Sequence, residues 1–263
     1  MKDTKASGNQ KKATAKTGEK ASSSKATATV KTSSKNQAAK TVKNTVKAAK
    51  PAVKQQTAKN TDKAAVAKTA VPKLKYFKFG SYYQENSTKK TPIEWLILKK
   101  SGTKMLLISK YGLDCKPYHN QIFVDITWEN CDLRKWLNGE FIKNAFTADE
   151  QKKIAVTKLA NDNNAEYGTL GGNSTEDRVF CLSFAEAESL FKDNKSRECE
   201  LTSYASGKGC FKSSYNHCSW WLRSPGSLQS FSTYVRLTSS LCSVGVYVSY
   251  HGNAVRPALW VNL

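Results

Sequence analysis

Chemistry in this chain would fall first to its cysteines, of which there are seven: Cys115, Cys131, Cys181, Cys199, Cys210, Cys218 and Cys242. Cys199, Cys210, His217 and Cys218 lie close enough in sequence to raise zinc, whose structural sites take four thiolates or imidazoles. Their spacing matches no such site, because two of the four are adjacent and no CxxC pair occurs in the chain. An odd count with no secretory leader points to reduced thiols rather than a disulfide framework. His217-Cys218 has the composition of a thiol–imidazole nucleophile, but neighbours in sequence rarely reach the geometry that chemistry needs. Glu94 is an acid inside an apolar run, where a carboxylate is either perturbed for function or paired, and Arg223 and Arg256 are its expected partners. Gly171-Gly172 lacks the Lys-Ser/Thr that follows in a phosphate-cradling loop. On these grounds no catalytic residue, metal or cofactor is expected.

The elements that would position these residues lie beyond the first quarter of the chain. Every aromatic occurs at or after Tyr76, whereas residues 1–70 hold 17 lysines, no arginine and three acids. A segment of Lys, Ala, Thr and Ser cannot bury enough apolar surface to offset its ordering entropy, so residues 1–72 are expected to form a disordered basic tail and residues 73–263 one domain. Within that domain, Pro92–Leu98 and Lys104–Ser109 are two apolar runs joined through Ser101-Gly102, a β-hairpin pattern, and Lys75–Gly80 alternates ahead of them as a strand would. Leu133, Trp136, Leu137 and Phe141 recur at helical spacing after Asn130, an expected N-cap. Thr147–Glu150 and Ser183–Glu186 are capping-box patterns; the second opens a helix with Phe184, Ala187, Leu190 and Phe191 facing inward. Asn161–Thr175 reads as a loop. From Ser219 the chain turns β-like, with strands at Trp220–Arg223, Ser232–Leu237, Cys242–Ser249 and Val255–Leu263. Strands, then helices, then strands predict an α+β fold with the terminal strands in one sheet.

The tail is a flexible polycation, suited to non-specific nucleic acid or anionic surfaces through counterion release or to a solubilising role. It has neither arginine forks for base readout nor aromatics for stacking. No apolar run is long enough to span a membrane and no signal-peptide h-region follows the first lysines. The expected compartment is the cytoplasm, with export by a route the sequence does not advertise left open.

Six ordered motifs carry a family resemblance: Phe79–Tyr82, Ile93–Leu96, Ile108–Tyr111, Trp128–Asn138, Trp220–Gly226 and Val255–Trp260. Over residues 75–263 the chain resembles the bacterial DUF6273 domain. That family in turn resembles the C-type-lectin-like fold of formylglycine-generating enzymes and of the variable proteins of diversity-generating retroelements. The resemblance implies an α+β, C-type-lectin-like mixed sheet with helices, and places Arg256 where that fold carries an arginine near its C-terminus. The oxidase branch works through a reactive cysteine pair in an arginine-rich context; Cys218 and Cys242 stand 24 residues apart (242 − 218) without it. The calcium motifs of the sugar-binding branch are also absent.

Five tryptophans, Trp95, Trp136, Trp220, Trp221 and Trp260, read as core. Adjacent Trp220 and Trp221 must point to opposite faces of a strand, so either both faces are covered or one ring borders a ligand site. Residues 227–253 stand apart: of 27, seven are Ser and three Tyr, with no Lys, Asp, Glu, Met or Trp. Tyr and Ser are the residues of paratopes, and the composition also suits adenine-directed codon diversification, except at Gln229, which falls outside such a set. The sequence thus predicts a non-catalytic binding module that meets an unknown protein or other macromolecule through Leu228, Ser230, Phe231, Leu237, Ser243, Tyr247, Tyr250 and His251. The alternatives are a nucleic-acid or polyanion-associated protein acting through its tail, and a thiol-dependent enzyme of the formylglycine-generating type relying on Cys218 or Cys242.

Overall fold

The apolar hairpin is the spine of the molecule. In the computed structural model, which describes residues 76–263, β1 (Tyr76–Tyr83), β2 (Lys90–Ser101) and β3 (Lys104–Ser109) form an antiparallel meander. Gly102 makes the tight turn between β2 and β3 at φ +56°, a left-handed conformation that glycine adopts without a Cβ clash. The last strand, β11 (Ala258–Asn262), returns antiparallel against β3, so the first sheet runs β1-β2-β3-β11. The terminal strands therefore share a sheet, as expected. Ile93, Trp95, Leu107, Ile108 and Leu259 are fully buried on it, and Trp95 donates its indole N–H to the Phe79 carbonyl at 2.7 Å.

A second sheet packs the C-terminal half. β4 (Asp114–Cys115), β7 (Trp220–Pro225), β8 (Phe231–Val235), β9 (Leu241–Tyr247) and β10 (Ala254–Val255) adopt the order β4-β10-β7-β8-β9. A two-stranded ribbon of β5 (Thr157–Leu159) and β6 (Thr175–Asp177) completes the strands among the described residues. The class is α+β. Trp220 and Trp221 are both wholly buried, so both faces of β7 are covered. Trp220 donates to the Arg197 carbonyl and Trp221 to the Lys116 carbonyl, which satisfies each indole N–H. Trp95 is likewise buried, whereas Trp136 and Trp260 are partly exposed and pack against the core.

The helices are short. α1 (Asp132–Trp136) continues through a π turn at Leu137–Phe141 into α2 (Ile142–Ala145). Its N-cap is Cys131, not Asn130: the Cys131 sulfur accepts from the Arg134 N–H at 3.4 Å, while Asn130 sits in the preceding turn. Thr147 and Ser183 close full capping boxes with Glu150 and Glu186 at the starts of α3 (Ala148–Lys153) and α4 (Phe184–Ser189). Ala187 and Phe191 are buried, with Phe184 and Leu190 packed at the core's margin. α5 (Ser203–Gly207) lies against β4.

The motif Trp128–Asn138 has a physical reason. Buried Asp177 accepts from the Trp128 indole at 2.9 Å, Arg134 Nε at 2.7 Å and the Thr175 hydroxyl at 2.9 Å. Asn138 bonds the Val179 backbone through both its amide groups, donating at 2.9 Å and accepting at 3.2 Å. Spacings of six and four residues across turn and helix thus bring three polar side chains onto β6 and the segment after it, and their removal would orphan a buried carboxylate.

Two sequence expectations are corrected. Glu94 pairs with neither arginine but with Lys110, Oε2 to Nζ 2.8 Å; Arg223 is bound by Glu186 instead. The pairing follows from topology, because the Lys110 N–H bonds the Glu94 carbonyl and carries its side chain alongside. The cysteines are also not all reduced: Cys115 and Cys210 form a disulfide, with Cα atoms 5.3 Å apart across 95 residues of sequence. Among the described residues the other five cysteines are free and buried. The expected basic tail, residues 1–72, lies outside the described residues. Among those described, no helix is long and apolar enough to cross a membrane.

Candidate functional site: an exposed aromatic face

Large apolar side chains in water call for an explanation when they cluster. At one end of the β8–β9 hairpin, Phe231 and Tyr247 are paired in register and their rings meet at 4.5 Å. Phe123 stacks edge-on against Tyr247 from a different loop, 5.2 Å centroid to centroid and at 90°. Phe123 is 71 % exposed, its neighbour Ile122 66 %, Leu228 56 % and Tyr247 43 %.

Three segments build this face. The loop after β4 is pinned on both sides: His119 N–H bonds the Val248 carbonyl, Asn120 binds Asp132, and Ile126 N–H bonds the Gln229 carbonyl. Its apex, Ile122-Phe123, projects between these anchors. Phe123 has φ +54°, a left-handed conformation that costs an aromatic residue about 1–2 kcal/mol. The turn from β7 to β8 supplies Leu228 and Phe231, with Phe231 N–H bonding the Leu228 carbonyl. Gln229 beneath it donates to the carbonyls of Ile126 and Leu170, tying the turn to both flanking loops. Leu170, 62 % exposed, rides on the second of these. Gln229 is thus a structural staple of this face.

Of the eight residues expected at the site, Leu228, Ser230, Phe231 and Tyr247 come together here; the Ser230 carbonyl accepts from Val248. Tyr250 and His251 are exposed on the turn beyond β9, where the Tyr250 ring covers Gly252 and the His251 carbonyl lies 3.0 Å from the Cys115 sulfur. Leu237 stands apart, in the turn at the opposite end of the hairpin, where Val235 pairs Leu241. Ser243 is partly covered by the loop 161–170: its hydroxyl bonds Glu166, and its carbonyl accepts from Asn164 at 2.9 Å. The hydrogen bonds from Ser243 and Tyr167 hold the Glu166 carboxyl below the usual carboxylate range. Ser243 also lines a mostly apolar cavity of ≈ 170 Å³ with Phe184, Ala185 and Thr233.

Sequence reasoning missed Ile122, Phe123 and Leu170. The signal was present for the first two, a large apolar pair after His119-Asn120-Gln121, in a stretch with neither period of an amphipathic element. Among the described residues no group of three or more His, Cys, Asp or Glu is placed to hold a metal. Cys210 is committed to its disulfide, and Cys242, on β9, pairs with Tyr234 of β8, which lies between it and β7. Cys218 lies opposite Cys199 instead, so Cys218 and Cys242 are not a pair.

An α+β domain that stiffens three loop segments to expose a small aromatic face is thus the class of protein the structure defines. Residues 102–263 match the model of the family described as Domain of unknown function (DUF6273), and the chain belongs to it. The match starts at the β2–β3 turn, so β1 and all of β2, which carry two of the six motifs, precede it. No curated protein and no solved structure matches the chain.

Proposed function

We propose that this protein is a non-catalytic binding module whose aromatic face, Phe123, Phe231 and Tyr247 with Leu228 at its margin, receives a macromolecular ligand. The observation that carries the reading is Phe123: a bulky ring held 71 % exposed in a strained backbone conformation. Folding alone gains nothing from such an arrangement, and strain of this kind persists where function uses it. Tyrosine and phenylalanine on a stiff frame supply contact area at low entropic cost, and such rings are the anchors of interfaces. The antiparallel sheet that joins first and last strands supports the C-type-lectin-like reading, in which a C-terminal strip is displayed and, in some lineages, diversified. The Cys115–Cys210 bond supports an oxidising setting reached by export over the cytoplasm that the sequence suggested.

The test uses a displayed random-peptide library panned on the full chain. Selected peptides should bind Tyr247→Ser and Phe123→Asn at least about tenfold more weakly, the loss that follows from removing one interface anchor worth about 1.4 kcal/mol. Asparagine tolerates the left-handed region, so Phe123→Asn should unfold no earlier than wild type and gain up to about 1 kcal/mol. Peptides indifferent to both changes would overturn the assignment of the site, and a large loss of stability on either would make the rings core.

A further inference from the structure

A second place in the molecule, away from the aromatic face, joins features that a purely structural core does not require. Glu200 and His217 form an antiparallel bridge, flanked by Cys218 N–H to the Cys199 carbonyl at 2.8 Å and Leu201 N–H to the Asn216 carbonyl at 3.1 Å. That pattern puts Cys199 and Cys218 directly opposite one another, with both side chains on one face. Residues so paired stand about 5.5 Å apart at Cα, within the span of roughly 4.4–6.8 Å that a disulfide bridges.

Beside them lies a buried cation. Arg256 is 2 % exposed, and among the described residues no carboxylate lies within ion-pair distance of it. Its Nε donates to the Ser109 carbonyl and its Nη1 to the Arg197 carbonyl, both at 3.0 Å, and its guanidinium lies 4.9 Å from the Trp220 ring centroid. A buried charge without a counter-ion is costly, and a thiolate is the anion within reach. Burial alone would push the Cys199 thiol up, but the hydrogen bond with Cys218, the Arg256 charge and the Gly112 backbone outweigh it and hold the thiol below its ordinary value. Cys218, whose hydrogen bond to Cys199 and burial both act upward, keeps its proton. The other thiols contrast: burial pushes Cys131 up to about 12 and Cys181 higher still.

Cys199, only 2 % exposed, nonetheless lies in the wall of a cavity. It shares this open space of ≈ 210 Å³ with Arg256, and Lys110, Lys195, Glu198 and Glu200 rim it.

We propose that Cys199 and Cys218 are a redox-active dithiol that exchanges with small disulfides entering this cavity. The Cys199 thiolate attacks one sulfur of R–S–S–R, forming a mixed disulfide and expelling RS⁻, which takes the Cys218 proton. The Cys218 thiolate then attacks the Cys199 sulfur, closing the Cys199–Cys218 bond and expelling the second RS⁻. Two protein thiols are oxidised and one small disulfide is reduced to two thiols. Closure removes the thiolate from beside Arg256 and leaves the buried guanidinium without its counter-ion, so the reduced state is the one the fold favours.

The experiment treats the full chain with 2-hydroxyethyl disulfide at neutral pH and maps the cysteines by mass spectrometry. Wild type should lose two thiols and yield a Cys199–Cys218 cross-linked peptide, formed at least about tenfold faster than any adduct on Cys131, Cys181 or Cys242, since thiolate fraction and access set the rate. Cys218→Ser should accumulate the mixed disulfide at Cys199, and Cys199→Ser should leave Cys218 unmodified over the same period. Wild type with an unchanged near-ultraviolet spectrum and no Cys199–Cys218 bond would overturn the proposal, as would equal modification of all five cysteines, which reports global opening. The wild-type result decides the matter even where a serine variant does not fold.

Discussion

Glu186→Gln is the perturbation that best isolates one interaction in this fold. Glu186 does two things: its Oε2 accepts from the Ser183 N–H at 2.9 Å to complete the α4 capping box, and both its oxygens bind Arg223, one of them 3.0 Å from Nη2. Glutamine at that position still serves a capping box, so the change removes charge while keeping shape and the cap. Arg223 is only 4 % exposed and would remain buried without its counter-ion. Removing one partner of a buried pair costs about 3–5 kcal/mol. The lower end applies here, for two reasons. Arg223 keeps neutral acceptors at the carbonyls of Cys181 and Ala160, at 3.1 and 3.2 Å, and Glu186 is itself 34 % exposed, so water relieves part of the loss. About 3 kcal/mol is therefore expected, a fall in Tm of about 6–12 °C for a domain of this size. Urea denaturation of the two chains, with Ser183→Ala alongside, measures it; the serine variant should lose about 1 kcal/mol as a cap alone. A Glu186→Gln cost at or below that of Ser183→Ala would refute the reasoning, because it would mean Arg223 does not need the charge.

Two further outcomes are expected. The Cys115–Cys210 bond closes a 95-residue separation, and the chain-entropy argument gives a cost of about 4.7 kcal/mol for Cys115→Ser with Cys210→Ser; denaturation midpoints that coincide for the double variant and wild type would contradict it. The hydrogen bond from Lys110 and its charge hold Glu94 below the usual carboxylate range and raise Lys110 in return. The Glu94 share is thus present above about pH 4.3 and lost as pH falls through its lowered value, while the Lys110 share is full below about pH 10.4 and lost above it. Both groups are about a third exposed, so Glu94→Gln should cost under about 1 kcal/mol at neutral pH, with the difference from wild type shrinking steadily as pH falls below about 4.3. A difference that does not shrink on acidification would show that the effect is not ionic.

How much of this was legible in the sequence follows the range of the forces involved. Local signals carried. The alternating and apolar runs at Tyr76–Ser109 became β1 to β3, two capping boxes opened α3 and α4, and Asn161–Thr175 became a loop closed by side-chain bonds. Periodicity and capping act over a few residues, so a reader of the chain sees them whole. The lysine-free strip 227–253 was visible in composition, and part of it lies on the exposed face.

Pairings between distant segments were decided only by the tertiary structure. Glu94 sits closer in sequence to Lys110 than to either arginine, but only the path of the chain out of β3 brings that lysine alongside. Cys115 finds Cys210 through long-range packing, and Cys199 faces Cys218 across an isolated antiparallel bridge; neither pairing follows from spacing. Phe123 joins Tyr247 across more than a hundred residues, through a loop whose anchors, Val248 and Gln229, belong to another part of the chain. The sequence by itself determined that an aromatic-rich α+β domain would form and that its C-terminal strip would differ from the rest. Which rings stand in water, which thiols touch and which buried charge lacks a partner were settled by long-range packing, because those outcomes depend on where backbones cross rather than on any property of neighbouring residues.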